Sequence, residues 1–217
     1  MKEEKKYRLS SERLEVFGLT LYRIEALKDF GDVKKGDKGG FVESEGNLSQ
    51  YRNCWIYDDA KVYGESCVSG NAQILGNAIV RANSFVTGNA MVYDNAVISG
   101  YSRVVGYAKV YGNAELHNCS RATGSVEIFG NAKIYNSPCI FGNAKVFDNA
   151  YIETSRFIFG NAQIYGNARI LDNVTILDNA QIYGDVTIRQ PVTIDNDAVI
   201  CQPGDPLTYI WFDTDGT

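Results

Sequence analysis

AKVYGN (108–113), AQIYGN (162–167) and AQILGN (72–77) are three of 25 consecutive six-residue units that run from Cys54 to Pro203 without an insertion or deletion. The third residue of a unit is Val, Ile or Leu in 24 units, and the first is Ala in 14. In an extended chain, the first and third residues face the same side. Each unit therefore predicts a short strand with both residues inward, a turn at its fifth and sixth residues, and a fold of stacked coils.

A second period, three units long, gives the number of strands in a coil, because first-position serines recur at 66, 84, 102 and 120. Three units therefore make one coil, and the repeats predict a triangular prism of about eight coils. The same spacing predicts a stack of aromatic rings, interrupted by Leu75, and a hydrogen-bonded column of turn residues. The ring stack comprises Tyr57, Tyr93, Tyr111, Phe129, Phe147, Tyr165 and Tyr183, and the column comprises Asp59, Asn77, Asn95, Asn113, Asn131, Asn149, Asn167 and Asp185.

Units such as IYGNAR (164–169) resemble those of the hexapeptide-repeat proteins. The opening YRLSSERLEVFG (7–18) and the following LYRIEALKDFGDVKKGDKGGFVESEGNLSQ (21–50) are similar to a poorly characterised bacterial and phage branch, whose members are often named transferase or polymer-forming protein. This resemblance implies an all-β fold, a single-stranded left-handed parallel β-helix, and homotrimers with parallel axes. The left hand comes from the resemblance alone, since a repeat period does not report handedness.

The chain is expected to contain three regions. Residues 1–47 lie outside the repeat and are interpreted as an N-terminal β cap, residues 48–203 as the β-helix, and residues 204–217 as a C-terminal capping or subunit-packing tail. An open end of a coil exposes unpaired backbone groups and requires a cap. The apolar run around Trp211 favours packing of the tail on the last coil or on a neighbouring subunit.

Composition argues against several classes of protein. A formal net charge of −5 disfavours general nucleic-acid binding, and the charged first residues give no sign of a signal peptide or membrane span. Five cysteines without paired spacing indicate reduced thiols, and a single histidine argues against a metal site. We therefore expect a cytoplasmic protein without a metal and without membrane attachment.

The repeat is broken most strongly between Ser99 and Thr123. Tyrosines and a cysteine replace turn asparagines there, Arg103 and Arg121 are stacked three units apart, and the core position shrinks at Ala122. Stacked guanidinium groups repel unless an anion lies near them. The break therefore predicts a site for a small anionic, nucleotide-like ligand, formed by Tyr101, Arg103, Tyr107, Glu115, His117 and Arg121. The alternative is an ordinary solvated basic patch with Glu115 as its salt-bridge partner.

Two further anomalies concern apolar and charged residues in unusual positions. The outward second positions Ile79, Phe85, Met91 and Val97 are apolar, which predicts an oligomer interface that borders the break. Arg156 occupies an inward first position. Because a lone buried guanidinium is costly, we expect a local bulge that turns it outward.

Two classes of function follow. The first is a non-catalytic homo-oligomeric β-helix that binds or sequesters the anionic ligand near subunit interfaces, without a cofactor, or that serves purely as a structural rod. The second, implied by the resemblance, is an acyltransferase in which His117 is the general base and acyl-coenzyme A lies between subunits. Against the second class, the sequence lacks the inserted loops and the coenzyme A-binding helix usual in such enzymes. The non-catalytic class is therefore the preferred interpretation.

Overall fold

The computed structural model describes residues 4–202 in full and the backbone of residues 210 and 211. They form three sheets and one short 3-10 turn, Glu45–Asn47, which Ser44 caps. Sheet I contains β1 Tyr7–Val16, β2 Leu19–Ala26, β3 Lys38–Val42, β5 Lys61–Val62, β8 Ile79–Val80, β11 Val97–Ile98, β14 Glu115–Leu116, β17 Lys133–Tyr135, β20 Tyr151–Glu153, β23 Arg169–Ile170 and β26 Thr187–Ile188.

The other two sheets belong almost entirely to the repeat. Sheet II contains β4 Trp55–Ile56, β7 Gln73–Ile74, β10 Met91–Val92, β13 Lys109–Val110, β16 Glu127–Ile128, β19 Lys145–Val146, β22 Gln163–Ile164, β25 Gln181–Ile182 and β28 Val199–Ile200. Sheet III contains β6 Cys67–Val68, β9 Phe85–Gly88, β12 Arg103–Gly106, β15 Arg121–Gly124, β18 Cys139–Gly142, β21 Phe157–Ile158, β24 Val174–Ile176, β27 Val192–Ile194 and β29 Ile210–Trp211.

Consecutive repeat strands visit sheets II, I and III in turn, and each pairs in parallel with the strand three units away. Lys109, for example, is in register with Met91 below and Glu127 above. Each of β4 to β28 corresponds to one six-residue unit, so the repeat makes eight full coils, and β28, the ninth strand of sheet II, begins a ninth. The predicted all-β parallel β-helix with three strands per coil is confirmed.

The core lies along the axis of the prism and is formed by the first and third residues of the units. Ala108 and Val110 are fully buried, and the same positions are buried in nearly every unit. Arg156 is the exception, and its expected outward position is confirmed: Ser155 is buried in its place while Arg156 is exposed. The inward positions therefore exclude charge throughout the described coils.

The corners require backbone angles that glycine tolerates best. At Gly112 the φ angle is +70°, and an added Cβ would lie 2.9 Å from the carbonyl oxygen of Gly130 in the next coil. A side chain is disfavoured there both by the angle and by the close approach of the next backbone. This contact explains the Gly that precedes Asn in so many units.

Both predicted ladders are present, except that Tyr57, on the far side of Leu75, does not stack with the other rings and its hydroxyl donates to Asp32 at 2.8 Å. Tyr93, Tyr111, Phe129, Phe147, Tyr165 and Tyr183 stack with centroids 4.7–4.9 Å apart. From Asn77 to Asn167, each side-chain amide donates to the next at 3.0–3.2 Å, and Asn167 donates to Asp185 at 2.7 Å. Asp59 instead accepts from Arg23. Identical residues in adjacent coils thus satisfy one another.

The first residues add an antiparallel hairpin to sheet I. β1 pairs with β2 across the Phe17–Gly18 turn, β2 pairs with β3, and β3 continues in parallel into β5. Trp55 is buried beneath these residues, with Tyr7 and Phe30 edge-on to its ring at 6.1 and 5.3 Å. The N-terminal residues thus cover the first coil.

Of the predicted tail at 204–217, the structure describes β29, which pairs antiparallel with β27. The rest of the tail lies outside the described residues. The proposed boundaries at 47 and 203 stay predictions.

Candidate functional site

The predicted site residues lie on two adjacent faces of the prism, separated by the corner at Asn118 and Cys119. Glu115 and His117 belong to sheet I, because they alternate outward along and just after β14. Arg103 and Arg121 belong to sheet III, where they are directly in register on β12 and β15. The single predicted site is therefore divided into two groups.

On sheet I, four side chains form what we call the polar cluster: Glu115, His117, Lys133 and Tyr135. The Nε2 atom of His117 lies 3.0 Å from Oε2 of Glu115. The hydroxyl of Tyr135 donates to the same oxygen at 3.0 Å, and Nζ of Lys133 lies 3.3 Å from the other oxygen. The carboxylate of Glu115 therefore joins all members of the cluster.

Stacking fixes the orientation of the histidine. The imidazole of His117 and the ring of Tyr135, one coil above, are 4.9 Å apart and inclined by only 5°. Its side chain is 19% exposed. Held by Glu115 in the ring plane and by Tyr135 on one face, the imidazole has a fixed direction and an open path to solvent.

The polar cluster continues into the next coil. Tyr151 lies 5.7 Å from Tyr135, and its hydroxyl donates to Glu153 at 3.0 Å. Asn136 donates to the other oxygen of Glu153, also at 3.0 Å, and the guanidinium of Arg169 lies 4.9 Å from the Tyr151 ring. Sheet I thus carries a chain of unlike polar side chains joined coil to coil.

The electrostatics of the polar cluster favour an ionised glutamate. Burial raises the pKa of Glu115, but hydrogen bonds from Tyr135, His117 and Lys133 outweigh it, and the pKa is lowered from its ordinary value of 4.5. Burial and the hydrogen bond to Glu115 raise the pKa of Tyr135 to about 12. Glu115 is therefore a carboxylate at neutral pH and can orient a histidine N–H.

On sheet III, Arg103 and Arg121 form what we call the arginine pair. Both side chains are exposed, with Phe85 below, its ring 5.7 Å from the Arg103 guanidinium, and Cys139 above. Throughout residues 4–202, no carboxylate forms an ion pair with either arginine. The predicted stacking of two positive charges without a counter-charge is present.

Tyr101 and Tyr107 occupy the corners on either side of β12, and both are largely exposed, at 62% and 65%. At the Tyr101 corner two consecutive residues, Gly100 and Tyr101, have φ angles of +67° and +63°. One coil above, Asn118 and Cys119 repeat this geometry at +53° and +66°. The same pair of left-handed angles occurs at this corner in five successive coils, at residues 64–65, 82–83, 100–101, 118–119 and 136–137, so it is a regular feature of the repeat.

One alternative from the sequence is wrong in part. Glu115 was considered as a salt-bridge partner of the arginines, but its partners are Lys133, His117 and Tyr135 on its own face. The corner between β14 and β15 explains this, since Glu115 points out from sheet I and the arginines point out from sheet III. Sequence reasoning missed Lys133 and Tyr135. The signal was present: each lies three units further along the chain than Glu115 and His117, respectively.

The four residues of the predicted oligomer interface are distributed over three faces. Ile79 and Val97 are neighbours on sheet I, Phe85 lies on sheet III and Met91 on sheet II. Ile79 packs against the hairpin cluster of Leu21, Phe41 and Tyr63, so its apolar surface is partly covered within the chain. Phe85, 40% exposed and adjacent to Arg103, is the most accessible of the four.

Neither a metal centre nor a membrane segment is apparent in the part of the chain that is described. No three His, Cys, Asp or Glu side chains there are grouped to hold a metal ion. Among the same residues, no helix has the length and apolarity that a membrane crossing requires. Cys54, Cys67, Cys119 and Cys139 carry free thiols.

Comparison with known proteins confirms the hexapeptide-repeat resemblance. Residues 162–178 match the family model described as YdcK beta solenoid repeat. The chain is also similar to the "Uncharacterized acetyltransferase YdcK" of Escherichia coli (strain K12), with 39% identity over 79 residues, which is 32% of this chain and 24% of that protein. The chain thus spans about a quarter of the length of the curated relative that it matches.

Proposed function

We propose that the protein is an acyltransferase in which His117, oriented by Glu115, is the general base. The observation that carries this proposal is the 3.0 Å contact between Nε2 of His117 and the Glu115 carboxylate. An ionised carboxylate that accepts from one imidazole nitrogen leaves the other nitrogen as the proton acceptor. No hydrogen bond to Nδ1 of His117 occurs within the described residues.

The reaction requires two proton transfers at His117. The hydroxyl or amine of an acceptor attacks the carbonyl of an acyl thioester while Nδ1 takes its proton, the C–S bond then breaks, and the imidazolium returns the proton to the leaving thiolate. Glu115 stabilises the resulting imidazolium, and Lys133 and Tyr135 hold Glu115 in place. The name of the matched relative, an uncharacterised acetyltransferase, agrees with this chemistry.

In this proposal, the arginine pair is the binding site for the acyl donor. Acyl-coenzyme A carries phosphates, and Arg103 and Arg121 present two guanidinium groups that lack carboxylate partners among the described residues. Both groups of residues lie on outer faces, so a second subunit is needed to enclose a substrate. We therefore include a homotrimer in the proposal, with Phe85 at the contact beside Arg103.

Turnover of acetyl-coenzyme A against a panel of hydroxyl and amine acceptors tests the proposal. His117→Phe retains a ring that can stack on Tyr135 but removes the base, and we expect turnover to fall by at least about 100-fold. Glu115→Gln should reduce turnover less and shift its pH profile. Tyr165→Phe, a hydroxyl removal in the ring stack of sheet II, is the matched control and should be silent.

Retention of wild-type turnover by His117→Phe with an unchanged circular dichroism spectrum would contradict the role of this residue. Absence of transfer to every acceptor would contradict the activity itself. Native mass spectrometry of the same preparation reports the subunit number, and three copies are expected. Cell fractionation tests the cytoplasmic location that we propose with this activity.

A second candidate function is favoured by the arginine pair alone. Here the protein binds a small anionic, nucleotide-like ligand without catalysis. Arg103 and Arg121 bind the anionic group, and Tyr101 lies beside them. Calorimetric titration with nucleotides should then show binding that Arg121→Ala weakens strongly and His117→Ala barely changes. If no nucleotide binds the wild type, or if binding is indifferent to Arg121→Ala, the arginine pair is solvated surface.

A further inference from the structure

A cavity of about 370 Å³ lies at the N-terminal end of the β-helix, away from both groups of residues considered above. It is open to solvent on one side and is lined by the first described residues, by the segment around Lys28 and Phe30, and by the loop at 50–53. Its size falls in the range of small-molecule sites, roughly 300–1,000 Å³. Neither the acyltransferase nor the nucleotide-holding proposal uses this cavity.

Positive charge dominates the lining. Among the described residues, Lys5, Lys6, Lys28 and Arg52 line the cavity, and Glu4 is the one acidic side chain beside them. Lys5 is neutralised by Glu45 outside the cavity, at 2.7 Å. Within residues 4–202, no ion pair forms to Lys6, Lys28 or Arg52, and Lys28 donates only to the backbone oxygen of Glu4.

Lys6 is the most informative of these residues because its side chain is buried, with only 1% exposed. Its ammonium donates to the backbone oxygens of Cys54 at 2.8 Å and Arg52 at 3.4 Å and to Sγ of Cys54 at 3.3 Å, all neutral acceptors, and lies 4.9 Å from the Phe30 ring centroid. Burial lowers the pKa of Lys6, and the nearby Lys28 charge lowers it further, while Cys54 opposes both. A buried cation without a carboxylate partner is costly, and an anion in the cavity would offset that cost.

The cavity also has aromatic walls. Phe30 is held edge-on against the buried Trp55 at 5.3 Å, so its ring is fixed. Tyr51, 63% exposed, lines the same cavity. Aromatic rings beside a cluster of cations suit a ligand that combines a planar ring with a charged group.

We propose that this cavity binds a small phosphate-bearing molecule with a planar ring, its phosphate between Lys28 and Arg52 and over buried Lys6. Lysine and arginine are the residues that bind phosphate, Arg by two parallel hydrogen bonds and Lys as a point charge. Phosphate supplies the counter-charge that the three cations lack. The ring contacts Phe30 and Tyr51.

Isothermal titration with adenosine monophosphate tests the proposal, and it is performed in a background that carries both Arg103→Ala and Arg121→Ala, so that the arginine pair makes no contribution. We expect saturable binding that weakens at least about tenfold in Lys28→Gln and again in Arg52→Asn. Asn is chosen at position 52 because the φ angle there is +58°, which Asn tolerates. Binding should also weaken as salt is raised.

Lys35→Gln is the matched control, because it removes a cation from the same N-terminal region but outside the cavity, and it should bind as tightly as its parent. Adenosine, which lacks the phosphate, should bind far more weakly. Absence of binding, equal loss in Lys35→Gln, or equal affinity for adenosine would each overturn the proposal. None of these outcomes depends on acyl transfer, so failure here is distinct from failure of the proposed activity.

Discussion

Sheets I and II have the same backbone register, but the columns of outward side chains on them differ in composition. On sheet II, outward fourth positions repeat one type of residue, and rings stack on rings from Tyr93 to Tyr183. On sheet I, the corresponding column passes from His117 to Tyr135 to Glu153, and unlike groups pair by hydrogen bonding as well as stacking. Register alone therefore does not decide what a column does.

This contrast indicates which part of a repeat fold can accommodate function. A column of like residues satisfies itself, so it stabilises the coil and leaves no group with unusual reactivity. A column of unlike residues brings a base and a phenol within 3.0 Å of one carboxylate oxygen. The polar cluster is therefore the better candidate for chemistry, although both columns stand on the same core.

The shared core is tested by Val110→Asp, the largest expected effect. Val110 is fully buried, and a carboxylate there should prevent folding or lower the free energy of unfolding by more than about 4 kcal/mol. Lys109 is the exposed neighbour of Val110, and Lys109→Gln should change the free energy of unfolding by less than about 0.5 kcal/mol. Chemical denaturation followed by circular dichroism measures both. Similar losses in the two variants would mean that inside and outside are reversed.

The stack of like rings on sheet II is tested by Phe129→Leu. Phe129 stacks at 4.9 Å on both Tyr111 and Phe147, and Leu75 shows that the column can accept leucine. Loss of two stacked pairs should cost about 1–3 kcal/mol in the free energy of unfolding, without loss of acyl transfer. A fall in turnover comparable to that of His117→Phe would remove the distinction between the two faces.

The polar cluster is tested by the pH dependence of Glu115→Gln. Because the folded pKa of Glu115 lies below 4.5, its stabilisation is present above about pH 4.5 and is lost as the pH falls through the folded value. The variant should therefore be less stable by about 1 kcal/mol at neutral pH, and the difference should shrink on acidification.

Glu127→Gln serves as the control, since that carboxylate on sheet II has only a 3.7 Å ion pair with Lys145. Chemical denaturation at neutral and acidic pH gives the comparison. The pKa of Tyr135, raised to about 12, should also fall when Glu115 is replaced, and NMR titration measures it. If the difference in the free energy of unfolding between wild type and Glu115→Gln stays constant with pH, the role of the carboxylate charge is contradicted.

The repeat period was sufficient to predict the core, the three-strand coil and both ladders, because they follow from spacing alone. The exposed position of Arg156 followed from the cost of burying its charge. The division of the candidate site between sheets I and III was harder to predict from the sequence. Spacing places Arg103 above Phe85, but the turn at Asn118 and Cys119 decides that His117 points from a different face.

Tyr135 and Lys133 were missed for a related reason. The break in the repeat ends at Thr123, whereas the side chains that hold Glu115 come from the next coil. Hairpin contacts were also beyond prediction, since residues 4–47 have no period that fixes their partners. Burial of Lys6 against Cys54 is such a contact.

The asparagine column has a direction. Every amide from Asn77 to Asn167 donates to the residue with the higher number, so the side-chain dipoles add along the axis. Their positive end points to Asp185, and a parallel column ends likewise, with Asn179 donating to Asp197 at 3.0 Å. Each column thus ends at an anion that its own polarity stabilises, which makes the two ends of the prism electrically different.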